Sequence, residues 1–562
     1  MGSDASAPKR AWPSNSDVPP AKSRAAVLWS CAALLAAPAF FFPLYNPDLF
    51  WHLSAGRWIW THRALPRADF LSFTAAGEPW GDFEWLAQLS FQAFHCAGGM
   101  TGLWLLKIVL LACSCLCLDR LLARRNVGPR LRAAALVLWS AGMLPHGDLR
   151  PELFSVLFLS ALMWRLEERR LGAAECFLGF SAWACLHPGF LVGLGLFPAY
   201  GLEAACRRRW AQAARHARDF TLAGLATLCN PYFLLPHRIA WEHWTMRHDL
   251  ARAIKEWQPM SLENPLYWPF WPTLILVCVL AAAALRRETR RRPEAPEQAA
   301  PWALIAATLY LGASSLGHER GSIFFSAAAA AAIPLLAKDD LFSRRALGAC
   351  IAVYAAFALW LMPRVSWAGV FNYKFVPRPA AEFMAKERQV LEPLRLYNQW
   401  EWGGYLGWRL RPWHRVFQDG RYIFHDLLVG GAEAARSPQA WQKFIDEHKL
   451  SGGLMLNLDR MLPAKKRYPD GTLKDFSRPW YVFYMPKARW ALVYWDEQAL
   501  LFVDRRAAPA SWLAEHEYRY VRPKDDAAFQ EALRLKEIPA AAAAAEEQRH
   551  REELKKFGAQ AP

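Results

Sequence analysis

Apolar residues in this chain collect in long runs separated by short polar loops, which is the pattern of a chain folded within a lipid bilayer. Eleven such runs are legible, at about 25–45, 100–121, 131–146, 151–167, 173–187, 189–206, 219–235, 266–285, 301–316, 321–337 and 345–362. Each predicts a membrane-crossing helix. The stretches left over are too long to be simple turns: an early loop at 46–99, a second at 236–265, and everything after about residue 362.

The fold class expected is therefore an all-α polytopic membrane domain of about 11 transmembrane helices, residues 25–362, after a tail at 1–24. A C-terminal α/β domain follows at 363–539. Its candidate strands are 394–398, 415–418, 453–457, 490–495 and 499–504, the last two joined by the turn Asp496-Glu497-Gln498. Residues 540–562 are rich in Ala, Glu and Lys and read as a helical or frayed tail. No internal repeat is visible.

Charge orients this pattern. The formal net charge is +17, but the basic clusters, such as Arg207-Arg208-Arg209 and Arg286 to Arg292, sit in short loops between apolar runs. That is topology information, not a nucleic-acid stripe, and no nucleic-acid partner is expected. With the N-terminus cytoplasmic, the cytoplasmic pieces hold about 25 Lys/Arg and the outward loops about nine. An odd number of crossings then puts the C-terminal domain in the periplasm of a bacterial inner membrane. The 29 Trp fit an interfacial belt, and the polar stretch Met1–Arg24 is no cleavable signal peptide. All 11 Cys lie at or before Cys350, so the C-terminal domain has no disulfide. Cys113, Cys115 and Cys117, spaced by two on a helix, point in different directions and read as structural.

Carboxylates beside membrane segments are costly and are functional candidates by default. Four motifs carry them, all on the outward side. Asn46-Pro47-Asp48-Leu49-Phe50-Trp51-His52 follows the first span; Asp48 is a candidate catalytic group, and a helix N-cap is the plain alternative. Asp148-Leu149-Arg150-Pro151-Glu152 fills the turn between the third and fourth spans, where capping competes with function. Asp48, Asp148 and Glu152 together offer oxygen ligands for a divalent metal, Mg or Mn. Glu256-Trp257-Gln258-Pro259 lies in the second outer loop, where a lone carboxylate is more often a solvated face. Trp400-Glu401-Trp402-Gly403-Gly404-Tyr405 and Val416-Phe417-Gln418-Asp419-Gly420-Arg421 open the C-terminal domain, and suit a sugar or peptide platform as well as a packed corner. Arg320, beside Glu319 in a tight outward turn, has the fork to grip a lipid phosphate. His187 reads as a turn residue.

The order of these four motifs resembles the C-type glycosyltransferase superfamily, and within it the catalytic subunit of oligosaccharyltransferase. That family carries an acidic motif in its first outer loop, a second after its third span, a Glu often followed by Gln-Pro in a later loop, and a Trp-Trp-Asp-Tyr-Gly motif in its outer domain. Asp48, Asp148 to Glu152, Glu256 with Gln258-Pro259, and Trp400 to Tyr405 match in that order, over roughly residues 25–425. Aligned on Gly404, the family's sequon-reading Asp falls at Trp402, a departure that argues against peptide-sequon recognition. The span count is closer to that of the protein mannosyltransferases. The stretch from Asp48 through Glu84-Trp85-Leu86 is similar to uncharacterised bacterial membrane proteins.

The resemblance implies transfer of a sugar from a polyprenyl-phosphate-linked donor, lying in the membrane lipid, to an acceptor on the outer face. Such a donor needs no nucleotide motif, and neither a P-loop nor a dinucleotide fingerprint is found. It implies Asp48 as base toward the acceptor or as a carboxylate that orients the acceptor, Glu256 touching donor or acceptor, and Asp148 and Glu152 holding the cation. His52, Arg150, Arg320, Trp400, Glu401, Trp402, Asp419 and Arg421 are the donor- or acceptor-binding candidates. The acceptor class, glycan, lipid or protein, is open. The rival reading is a non-catalytic membrane scaffold or assembly protein of the same fold; a transporter is disfavoured by the few buried charges and the lack of repeats.

Overall fold

The structure is a computed structural model that describes residues 21–169, 171–290, 300–337, 341–364, 367, 369–468 and 470–558. Most of the N-terminal tail, positions 291 and 292 of the basic stretch, and the last four residues lie outside the described residues. The chain is mostly helical up to residue 361. In order run α1 (Ala21–Phe41), α2 (Leu49–His62), α3 (Trp85–Arg124), α4 (Pro129–Met143), α5 (Glu152–Glu168), α6 (Ala173–Leu186), α7 (Phe190–Cys206) and α8 (Trp210–Thr227). Then come α9 (Leu235–Thr245), α10 (Arg247–Ala253), α11 (Phe270–Thr289), α12 (Trp302–Gly317), α13 (Ser322–Ala337) and α14 (Leu341–Leu361).

Helices overlap all eleven expected spans. Four stretches, Trp85–Arg124, Pro265–Thr289, Glu319–Ala337 and Arg344–Arg364, are long and apolar enough to cross a membrane. Shorter apolar helices cover Val27–Phe41, Ala173–Leu186, Phe190–Cys206 and Trp302–Gly317. Leu105, Val109, Leu116, Leu178, Ile275 and Leu359 project outward from these helices, as side chains facing lipid do. In contrast, α13 is apolar all round and buried at every position, so it is the central helix.

Two expectations need correction here. The span expected at 219–235 is instead α8, which starts at Trp210 and stops at Thr227. Asn230-Pro231 ends it, because a residue before proline avoids the helical region and the Asn230 amide bonds the carbonyls of Thr227 and Phe233 at 2.7 and 2.8 Å. The early loop is also largely helical: α2 and the first turns of α3 occupy it. Gly99, at φ 58°, lets α3 kink between its surface segment and its membrane segment.

The C-terminal domain holds α15 (Arg378–Lys386), α16 (Arg388–Leu391), α17 (Trp400–Arg409), α18 (His425–Ala434), α19 (Pro438–Glu447), α20 (Tyr481–Tyr484), α21 (Ala510–His516), α22 (Asp526–Arg534) and α23 (Ala540–Gly558). Its strands are β1 (Leu396–Asn398), β2 (Gly452–Leu456), β3 (Met461–Arg467), β4 (Leu473–Pro479), β5 (Trp490–Trp495) and β6 (Ala499–Asp504). The main sheet has order β1-β2-β6-β5, with β1 parallel to β2 and the other pairs antiparallel, and β3 and β4 form a separate hairpin. The strand expected at 415–418 is not in this sheet. Val416 makes an isolated bridge to Ser72, and so ties the early loop to the C-terminal domain. The tail expected to be helical or frayed is a packed helix through Gly558: Phe557 of α23 lies against Phe383 and Tyr494, and Glu546 accepts from the backbone of Arg519, Tyr520 and Val521.

Candidate functional site

Three segments far apart in sequence bring charged side chains to one cleft at one end of the helices. Asp48 precedes α2, Arg150 and Glu152 open α5, and Glu256 sits in a short 3₁₀ turn after α10. Arg150 is the hub. Its Nη1 lies 2.6 Å from Glu256 Oε1, and its Nη2 3.8 Å from Asp48 Oδ2. A second, looser pair joins Arg320 Nε to Glu152 Oε1 at 3.7 Å. Tyr45, Asn46, His146, Arg150, Glu152 and Glu256 line a small cavity of about 40 Å³ beside these pairs.

Asp48 occupies the N-cap position of α2 but makes no side-chain capping bond. Its carboxylate turns into the cleft, where a third of the side chain remains open to solvent. Burial raises its pKa to about 6 against the pull of Arg150, and the charges of Glu256 and Glu401 add to the rise. For Glu256 the balance reverses. Burial would raise it, but Arg150 and Arg320 hold it down at about 2. Two carboxylates in one cleft are thus driven apart in acidity.

The residues expected to hold a divalent metal do not fit that task. Asp148 Oδ2 accepts from the backbone amides of Tyr45, at 2.8 Å, and Asn46, while Oδ1 accepts from the amide of Leu149 at 2.7 Å. Asp148 lines the small cavity, but both its oxygens are taken by backbone amides, and it clamps the chain leaving α1. Glu152 is turned to Arg320. Among the described residues, no three His, Cys, Asp or Glu side chains form a metal-binding group. Arg150 lies beside Asp48 and Arg320 beside Glu152.

The C-terminal motifs divide. Trp402 is buried, and Gly404 meets Pro47 and Trp51, where an added Cβ would lie 3.1 Å from the Trp51 amide. These residues pack α17 onto α2 and are not a binding wall. Asp419 and Arg421 are fully buried: Arg421 bridges Asp419 at 2.8 Å and Asp69 at 2.6 Å, over the face of Trp80. They lock the early loop to the domain and are out of reach of a ligand, contrary to expectation. The lock has a consequence for the site, because it places Gly420 on Asp48. An added Cβ there would come within 2.1 Å of Asp48 Oδ1. Glu401 is exposed; partial burial and the charge of Glu256 raise its pKa against the pull of Arg150. Trp400 is half-buried against His425, with 5.8 Å between ring centroids. His52 is buried against Trp51, with 3.6 Å between ring centroids and the planes tilted by 32°; burial and Arg150 lower its pKa and keep it neutral.

Sequence reasoning gave no role to Asp82 or Lys107, and quoted Glu84 only within a resemblance. Asp82 is buried, receives Gln88 Nε2 at 2.5 Å, and is pushed up to about 7 by burial. Glu84, pushed up to about 8 by burial, lies 4.0 Å from His187 Nε2. His187 Nδ1 accepts from the Gly189 amide at 3.0 Å, so the ring proton sits on Nε2, aimed at Glu84. Lys107 donates to the Phe42 carbonyl near Asp148. A charged residue inside an apolar run was the available signal for Lys107.

No family model and no curated protein matches this chain. Among solved structures, the chain is similar to the crystal structure of ArnT from Cupriavidus metallidurans in the apo state. The identity is 13% and the TM-score 0.35, over 87% of this chain and 99% of that one. A likeness at that level carries no argument about chemistry, and the functional reading rests on the side chains.

Proposed function

We propose that the protein is a membrane glycosyltransferase that moves a sugar from a polyprenyl-phosphate-linked donor to an acceptor hydroxyl or amide on the outer face of the inner membrane. The observation that carries this reading is the Asp48–Arg150–Glu256 constellation: a carboxylate with a raised pKa, free of capping duty, beside a cation and a second carboxylate of lowered pKa. For a hydroxyl acceptor, the acceptor oxygen bonds to the anomeric carbon as the bond from that carbon to the phosphate oxygen breaks. The acceptor proton passes to Asp48 and the electron pair leaves on the phosphate. Arg320, paired to Glu152 only at 3.7 Å, and Arg150 supply the positive charge that the leaving phosphate needs. Metal-ligand roles for Asp148 and Glu152 are not part of this reading. Glu401 and Trp400 border the acceptor side.

Native mass spectrometry of the purified chain with undecaprenyl phosphate tests the donor side. Retention of the lipid that falls about tenfold or more in Arg320→Gln supports the reading, since a charge-assisted phosphate contact contributes about 1.5–3 kcal/mol. Absence of retention in the wild type favours the non-catalytic scaffold.

A further inference from the structure

At the opposite end of the helices from Asp48, the structure forms a second polar cavity, of about 80 Å³ and open to solvent beside the exposed Arg169. The ends of α3, α5 and α7 and the starts of α8 and α12 meet there, and Arg125, Arg169, Arg207 and Arg209 line it with Glu167 and Glu203. Both carboxylates are already engaged. Glu167 lies 3.4 Å from Arg125 and accepts from the Tyr200 hydroxyl at 2.6 Å. Glu203 lies 3.0 Å from Arg207 and accepts from the Ala303 amide at 2.7 Å. Arg169 and Arg209 form no ion pair or side-chain hydrogen bond with any described residue. They crowd one another: after burial, the charges of Arg209 and Arg125 are what lower the pKa of Arg169. Four guanidiniums against two engaged carboxylates leave the described lining of the cavity an excess of two positive charges.

We infer that this cavity binds the phosphate of an anionic phospholipid head group in the cytoplasmic leaflet. The forks of Arg169 and Arg209 match a phosphodiester, and basic pockets between helix ends on the cytoplasmic side are suited to anionic head groups. The lipid source is favoured by the flanking surface. Leu202 and Trp210, on two of the helices that border the cavity, are each 67% exposed, as residues at a bilayer interface are. The charge bias of the loops assigns this end to the cytoplasm. The inference stands apart from the glycosyltransferase reading, since it concerns the other face of the molecule.

The test uses the full chain in nanodiscs of phosphatidylcholine with or without phosphatidylglycerol, read by native mass spectrometry and thermal unfolding. Phosphatidylglycerol should be retained and should raise the unfolding temperature. The double variant Arg169→Gln/Arg209→Gln should weaken retention about tenfold or more, at about 1 kcal/mol per charge. Arg130→Gln/Arg208→Gln removes two exposed charges outside the cavity and should change retention less than about twofold. Equal losses in both variants would mean diffuse surface attraction and overturn the site. Stabilisation by millimolar inorganic phosphate with no lipid retained would overturn the lipid assignment.

Discussion

Arg150 Nη1 lies 2.6 Å from Glu256 Oε1 although 106 positions separate the two residues. This contact fastens the second outer loop over the ends of the membrane helices, and the same guanidinium reaches Asp48. Arg150→Gln and Glu256→Gln should each loosen the loop around residues 236–265 and increase its cleavage by protease. Combined, the two changes should be less than additive, with a coupling of about 1–2 kcal/mol in thermal or chemical unfolding. Full additivity would mean that the pair does not hold the loop.

The acidities of the two carboxylates separate catalysis from folding. Asp48 must be ionised to take a proton, so the transfer rate should rise with pH up to about 6 and then level off. Glu256 has a folded pKa of about 2, below its ordinary 4.5, so its stabilising effect is complete above 4.5 and is lost only as pH falls toward 2. Across pH 5–8 Glu256 should therefore contribute no transition, whereas the raised pKa of Asp48 makes stability fall as pH rises from 3.8 to about 6 and level off above it, opposite in direction to the rate limb. A rate limb that coincides with loss of structure would contradict the assignment.

Gly420 is where the buried lock meets the site. Gly420→Ala puts a methyl group within 2.1 Å of Asp48 Oδ1 and must displace the carboxylate or the 419–421 turn. Transfer should fall by about 100-fold, the effect of misplacing a reacting group by about 1 Å. The change in unfolding should stay within about 1–3 kcal/mol, the usual cost of overpacking. Unchanged activity would show that Asp48 does not act in the position observed.

The helices were legible because their apolar runs stand out in the sequence, and helices overlap all eleven expected spans, with four stretches long and apolar enough to cross a membrane. Strands β5 and β6 were legible for the same reason: both are apolar along nearly their whole length. The β3–β4 hairpin was not, because Lys465, Lys466, Arg467 and Lys474 stand on exposed strands with no apolar stripe. Asp419 and Arg421 read as ligand-binding because sequence shows polar residues beside glycine but not the partner that buries them. Asp69, 2.6 Å from Arg421 in space, is some 350 positions away along the chain. Likewise Asp48, Asp148 and Glu152 are plausible cation ligands as a composition. Only the fold shows that Asp148 is taken by amides and Glu152 by an arginine.

That last point makes metal dependence a discriminating observation. With arginines supplying the positive charge, chelation of divalent ions should leave transfer within about twofold of the untreated rate, whereas a metal-held leaving group loses several kcal/mol of stabilisation. Abolition by chelator, with recovery on adding Mg or Mn, would require a rearranged site.

The most direct measurement of the central claim is sugar transfer by Asp48→Asn, from a polyprenyl-phosphate-linked donor that the wild type demonstrably uses. Asn keeps the shape and removes the charge, and the side chain makes no capping bond whose loss could disturb α2. The account predicts transfer lower by about 10²–10⁴-fold, with expression and thermal unfolding near wild type. Transfer at the wild-type rate by a correctly folded Asp48→Asn protein would contradict it.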